Sequence, residues 1–284
     1  MSNGAVPGSD NPHAEVETVQ MSDLSIVIDG KQYHLGCKPR LLHPGALYPI
    51  LGSDPNRPDI EVIPRAQWAE IDFSHLVPEI LDQDGQGACN TFASVQALHV
   101  LRAEAGLPYV KLSAGNLYGR INGGVDAGST LSDAIVTLEK EGVCTAQTVP
   151  ELQWRQRYWP PTWREEAKKF RILEAWDCPS FDHLASALLL GFPVNLGILV
   201  GWNFRVGSDG WLQDYRGVGG GHALCGVGLL YHRDRKTWGI KVANSWGKAW
   251  GQDGFAVVPE SYFRSTPFTD GWAVRGCVDP SGEW

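Results

Sequence analysis

Three residues of the chain combine a reactive side chain with a setting suited to nucleophilic chemistry. Cys89 ends the glycine-rich run Asp82-Gln83-Asp84-Gly85-Gln86-Gly87-Ala88 and leads directly into the apolar segment that begins Asn90-Thr91-Phe92-Ala93. A thiol there faces unpaired backbone N–H groups and the positive end of a helix dipole, which lower its pKa from about 8.5 and favour the nucleophilic thiolate. His222 follows Gly219, Gly220 and Gly221 at the mouth of an apolar strand, where an imidazole can serve such a thiol as its base. Asn244 opens Asn244-Ser245-Trp246-Gly247-Lys248-Ala249-Trp250-Gly251. Its amide oxygen is suited to accept the far ring N–H of a histidine, and the tryptophans to keep water from that bond. Each residue taken singly has a plainer explanation. Most cysteines are small core hydrophobes, most histidines at strand starts are satisfied surface or core groups, and aromatic-rich loops are common.

The elements that must position these residues are legible in the hydrophobic pattern. From Asn90 to Arg102 apolar side chains leave a polar stripe at Gln96, His99 and Arg102, a spacing of three that predicts a mostly buried helix. Further helices are predicted over Leu131 to Glu141, stopped by Gly142, over Glu165 to Phe170, and over Phe181 to Leu190, stopped by Gly191 and Pro193. After Val194 short β-prone runs take over: Val194 to Val200, Ala223 to Tyr231, Trp238 to Val242 and Gly254 to Val258. Helices followed by strands, without internal repeats, predict an α+β fold of two lobes with a cleft between them.

The N-terminal part is different in character. Residues 1–20 are polar and read as a mobile tail. Leu24 to Leu35 forms two strand-like runs around Asp29-Gly30 and predicts a β-hairpin, whose Leu24, Ile26 and Ile28 would supply a buried face. From Pro39 to Pro64 repeated prolines favour extended backbone, so residues 21–64 are expected to form a hairpin and a surface strap. Two roles are open for this region: a β-element packed on the body, or an extended strap lying across the cleft.

Composition excludes several classes of function. Lys and Arg total 24 against 32 Asp and Glu, a net charge of −8, so nucleic acid is not an expected partner. Trp154, Trp159 and Trp163 beside Arg155, Arg157 and Arg164 are accordingly read as a packed aromatic loop rather than a base-stacking platform. The longest apolar run, around Leu184 to Leu190, is too short to span a bilayer. The six cysteines show no CxxC and no zinc-ligand spacing, and Asp82, Asp84, Asp126 and Asp133 have no EF-hand spacing, so neither metal nor cofactor is expected. The start Met1-Ser2-Asn3-Gly4-Ala5-Val6-Pro7 lacks the basic and apolar regions of a signal peptide, so a reducing cytoplasm and free thiols are expected.

Taken together, the motifs resemble the papain-like cysteine peptidases from about Arg65 to the C-terminus. Cys89 precedes His222 and Asn244 at close to the roughly 130–150 residues that this family uses. Gln83, six positions ahead of Cys89, matches the family's oxyanion glutamine. Asn122-Gly123-Gly124 resembles its substrate-binding glycine strand, the Asn244-Ser245-Trp246-Gly247 block with Trp250 resembles its asparagine motif, and Leu112-Ser113-Ala114 resembles the helix start between them. The resemblance implies a helical lobe over about 80–170 and a β-rich lobe over about 171–284, with the site in the cleft. It implies Cys89, His222, Asn244 and Gln83 as catalytic residues, and Gly123, Gly124, Gly221, Ala223, Trp246 and Trp250 as substrate contacts. The implied activity is hydrolysis of a peptide or protein substrate through a thioester. An impaired peptide-binding module, or a deamidase or transpeptidase using the same groups, are the alternatives. Three positions depart from the family. Asn90 replaces the aromatic residue that follows the nucleophile, and Gln86 and Ile121 stand where a disulfide would join two cysteines. The missing bridge resembles intracellular bacterial or viral relatives.

Overall fold

The computed structural model describes residues 25–28, 31–201, 203–217, 219–265 and 270–279. The expected tail, Leu24 and the Asp29-Gly30 turn lie outside the described residues. Strands β1 (Ser25–Ile28) and β2 (Lys31–His34) pair antiparallel with Ile28 opposite Lys31, the register that a two-residue turn imposes. Ile26 is half-buried against the core and Tyr33 is buried in it.

The helical part is built on α1 (Cys89–Glu104), against which α2 (Ala114–Ile121) and α3 (Leu131–Lys140) pack. Helix α1 is buried on every side from Cys89 to Arg102, so the predicted polar stripe does not face solvent. His99 instead accepts the Leu112 N–H at 3.2 Å, and Arg102 donates to the Pro108 carbonyl at 3.2 Å while lying over the Phe170 ring. Ser113 caps α2 and Thr130 caps α3, each accepting the amide three residues on, which fixes both helix starts.

The other part is a seven-stranded antiparallel sheet in the order β4-β9-β5-β6-β7-β8, with β3 (Ile71–Asp72) pairing β6. Its members are β4 (Ile172–Asp177), β5 (Val194–Val200), β6 (Gly220–His232), β7 (Thr237–Ala243), β8 (Phe255–Pro259) and β9 (Asp270–Cys277). Helix α4 (Trp163–Ala167) begins two residues before the predicted segment, and α5 (Phe181–Leu189) packs on the sheet, with α6 (Glu260–Ser265) following β8. The architecture is α+β, and α1 lies against β6, so Cys89 and His222 sit on elements in contact.

Residues 39–64 follow the surface, but they are fastened to the body. Leu51 donates its amide to the Asp177 carbonyl at 2.9 Å, and Asp177 returns its own to Pro49 at 3.0 Å. Arg40 grips the Asp177 carboxylate with two N–H groups at 2.6 and 2.9 Å and also bonds Asp270. Leu51 and Ile60 are buried in the main core. Replacing Leu51 with Ala leaves a cavity there, and such truncations cost about 2–5 kcal/mol. The Leu51→Ala chain should therefore melt roughly 5 °C or more below the parent in a thermal scan. An unchanged melting temperature would show that the strap is not part of the cooperative core.

Candidate active site

Cys89 is the first residue of α1, preceded by Ala88, whose side chain offers no cap. Its sulfur faces the backbone N–H groups of Ala223, Gly36 and Asn90, all of which favour a thiolate. Burial nevertheless dominates: the thiol has no solvent exposure and is pushed up to about 11. This corrects the expectation of a thiolate. A helix terminus contributes at most about 2 kcal/mol, whereas full desolvation can shift a group by three to five pKa units. In the described state Cys89 is a neutral thiol.

His222, the third residue of β6, lies opposite Ile198 of β5, and Asn244 directly follows β7. The two meet at 2.7 Å between Nε2 and Oδ1. Asn244 Oδ1 also accepts the Ser245 amide at 2.8 Å, so the oxygen faces the ring and His222 Nε2 must carry the proton. Nδ1 is then a lone pair, without a hydrogen-bond partner among the described residues. Burial holds His222 down to about 4 although the Asn244 bond favours the charged form. Trp246 stacks on the imidazole at 4.5 Å and is itself fully buried. Gln83 is fixed by its Oε1, which accepts from Ser245 Oγ at 2.7 Å, and its Nε2 donates to the Gln86 and His34 carbonyls at 2.6 and 3.1 Å.

The His34 carbonyl belongs to a chain segment that covers the site. Tyr33 stacks on the face of Trp246 at 4.3 Å. Cys37 donates its amide to Gly221 at 2.9 Å on the sheet side, while Gly36 accepts from Ser129 at 2.9 Å and Lys38 donates to Ser129 at 2.8 Å on the helical side. Cys37 and Ser129 are thus paired in parallel. Close approach requires glycine here: a Cβ on Gly36 would lie 1.9 Å from the Gly87 carbonyl oxygen, and one on Gly128 would lie 2.3 Å from the Gly36 carbonyl oxygen.

The expected substrate contacts divide. Gly221 offers its carbonyl to the covering segment, Ala223 turns its N–H to Cys89, and Trp246 meets both His222 and Tyr33. Trp250 packs instead inside the core, stacked on Phe204. Gly123 and Gly124 do not pair with the covering segment; they line a neighbouring pocket, and Ser129 takes the backbone-pairing role. Its position was readable from the Thr130 cap, because Ser129 immediately precedes the residue that caps α3. Asn90 donates its amide to the Ser129 carbonyl and hydroxyl, tying Ser129 to α1 where an aromatic residue would only have packed. All six cysteines are free and buried. Among the described residues no group of three or more His, Cys, Asp or Glu could hold a metal ion, and no helix is long and apolar enough to cross a membrane.

Comparisons with known proteins bear on the family and the fold. The family described as papain family cysteine protease matches residues 64–264. A peptidase C1-like protein of Acanthamoeba polyphaga mimivirus is 30% identical over 55% of this chain, which spans about half, 54%, of that relative's length. A cathepsin B-like protein of Giardia intestinalis is 27% identical over 69% of each chain. Among solved structures, the cysteine protease xylellain of Xylella fastidiosa is similar with a TM-score of 0.67 at 24% identity, over 85% of this chain and 96% of that one. A procathepsin B of Trypanosoma congolense is similar with a TM-score of 0.65 at 16% identity, over 85% of each.

The covered, neutral thiol has a direct chemical signature. In the native parent chain iodoacetamide should modify Cys89 slowly at pH 7, the rate rising as pH approaches about 11. Gly36→Ala, which the Gly87 carbonyl cannot accommodate, should lift the segment away. Site-resolved mass spectrometry should then show at least tenfold faster labelling at pH 7 and a titration midpoint moved to lower pH. Equal rates in the two chains would contradict the covering role.

Proposed function

Because the chain belongs to the papain family of cysteine proteases, we propose that it hydrolyses peptide bonds through a thioester formed on Cys89. The observation that carries this reading is the His222 Nε2 to Asn244 Oδ1 bond of 2.7 Å, which fixes the ring with its basic Nδ1 unused. When residues 34–38 leave the cleft, Cys89 and His222 regain solvation and Nδ1 takes the thiol proton, giving a thiolate and an imidazolium. The thiolate adds to a peptide carbonyl. Gln83 Nε2, released from the His34 carbonyl, and the Cys89 N–H then donate to the oxyanion, each such donor typically worth about 3 kcal/mol. His222 passes its proton to the departing amine, leaving the acyl thioester. It next accepts a proton from the water that cleaves the thioester, and the restored thiol leaves with the carboxylate product free.

The covering segment is compatible with this chemistry without being consumed by it. Parallel pairing with Ser129 turns the Gly36 N–H toward the sulfur and commits the Gly36 carbonyl to the Ser129 amide. The segment acts as a cover that is released by displacement. The same cover, with its neutral thiol, favours a second reading: a peptide-binding module that does not turn over.

Products from a mixed peptide library, weighed by mass spectrometry, decide among the readings. The parent chain and the Gly36→Ala chain should yield pairs of fragments whose masses sum to a library peptide plus one water. Cys89→Ala should abolish this, whereas Asn244→Ala should slow it roughly 10–100-fold, as expected for a group that only orients the imidazole. Mass gains of one unit would mean deamidation, joined peptides would mean ligation, and unchanged peptides with both chains would leave the binding module.

A further inference from the structure

A second cavity, about 430 Å³ in volume, opens at the C-terminal end of α2 against residues 154–157, on the helical side of the molecule. None of the catalytic groups lines it. Three arginines do, Arg120, Arg155 and Arg157, and no carboxylate does, in a protein whose net charge is −8. The three arginines stack on the aromatic rings of the 154–163 stretch and belong to no part of the peptidase site.

Arg120 is the built part of this pocket. Its side chain is 8% exposed and is pinned by bonds from Nε to the Asn116 carbonyl at 3.1 Å and from Nη2 to the Gly142 carbonyl at 2.6 Å. Its Nη1 is buried and makes no hydrogen bond; the carboxylate facing it, on the largely exposed Glu141, stands 3.5 Å away. The Arg120 guanidinium is paired with Glu141 and lies over Trp163, so its contribution to the pocket is the positive charge of a held, largely buried cation at its wall. Arg155 and Arg157 have no carboxylate partner among the described residues, and their guanidinium groups lie over Trp154 at 4.5 Å and Tyr158 at 4.7 Å. Gln156 is held by its bond to the Gly119 carbonyl at 2.7 Å, and Trp154 forms a flat apolar wall. One buried cation, two unpaired cations and an aromatic wall suit a carboxylate or phosphate oxyanion carried on a short apolar stem.

The route to the cleft identifies the carrier. Gly124 at the pocket's rim is five residues from Ser129, whose backbone pairs with the chain occupying the cleft. Five residues span at most about 17 Å. An extended peptide rising about 3.3 Å per residue covers that distance within about five residues. We propose that this pocket selects an acidic side chain of the substrate, at a fixed offset from the bond that is cut. The identification of a peptide as the carrier rests on the peptidase reading; the affinity of the pocket for an oxyanion does not.

Calorimetry on the full chain separates these points. Acetyl-Glu-Glu-Glu-amide should bind at least tenfold more tightly than acetyl-Gln-Gln-Gln-amide, with affinity falling as salt is raised, and the Arg155→Ala, Arg157→Ala double variant should lose at least tenfold. Inorganic phosphate binding as tightly as the acidic tripeptide, with the same dependence on the two arginines, would overturn the peptide assignment in favour of a small free oxyanion. Equal binding of the acidic and neutral tripeptides would overturn the pocket altogether. In library cleavage by the Gly36→Ala chain, Asp and Glu should be enriched at one offset, and the enrichment should vanish in the double variant while cleavage of peptides without acidic residues continues at the same rate. Cleavage without such enrichment would overturn this proposal and leave the peptidase reading intact. No cleavage at all would overturn the peptidase reading and the substrate role, while the tripeptide titrations would still decide the pocket.

Discussion

Desolvation of Cys89 and His222 by the backbone of residues 34–38 is the constraint on which the rest of the structure depends. Both groups are without solvent exposure, and both are held in their neutral forms against neighbours that favour charge. The cover is held by main-chain bonds to Gly221, Ser129 and Gln83, with the Cys37 side chain buried beneath it. It is clamped upstream by the stacking of Tyr33 on Trp246 and downstream by Arg40 between Asp177 and Asp270. Glycines at 36 and 128 are what allow backbone to lie against backbone at that distance.

The chemistry of the site is therefore a competition between two electrostatic effects of unequal size. The helix terminus and the converging amides of Ala223, Gly36 and Asn90 pull the thiol toward ionisation, and burial pulls it further the other way. Removing the cover removes the larger effect, and the Gly36 amide with it, and leaves the helix terminus and the Ala223 and Asn90 amides in place. The same displacement frees the Gln83 N–H bonded to the His34 carbonyl, so under the proposed mechanism the Cys89 thiol and this donor become available together. The hydrogen bond between His222 and Asn244 lies under Trp246, on the sheet side, and depends on none of the bonds of the cover.

How much of this was legible in the sequence follows from what kind of atom does the work. Cys89, His222 and Asn244 announce themselves by side-chain type and order, and α1, α3, α5 and β5 by periodicity and by Gly or Pro stops. Strand β9, with Gly271, Gly276 and Arg275 among its residues, carries no clean alternation; it is a strand because β4 and β5 flank it, a long-range fact. Helix α2 contains two glycines, Gly115 and Gly119, whose small size admits the backbone of residues 151–154. The exchange of Gly123 and Gly124 for Ser129 has a related cause. A pair of glycines looks like a backbone-binding strand, yet the binding is done by peptide groups that any residue carries, and their position is set by where α3 starts. Residues 34–38 left little mark for the same reason: apart from Gly36 and the buried Cys37, they are held by main-chain bonds.

Hydrogen exchange at the amides of Cys37 and Lys38, followed with and without a peptidyl aldehyde that adds reversibly to cysteine thiols, tests the central claim most directly. Both amides donate to main-chain carbonyls across the site and should exchange slowly in the free protein. Once the aldehyde is bound they should exchange at the rate of an open chain, because the cover and a peptide compete for the same backbone partners. Amides that stay protected while the aldehyde occupies Cys89 would contradict the account.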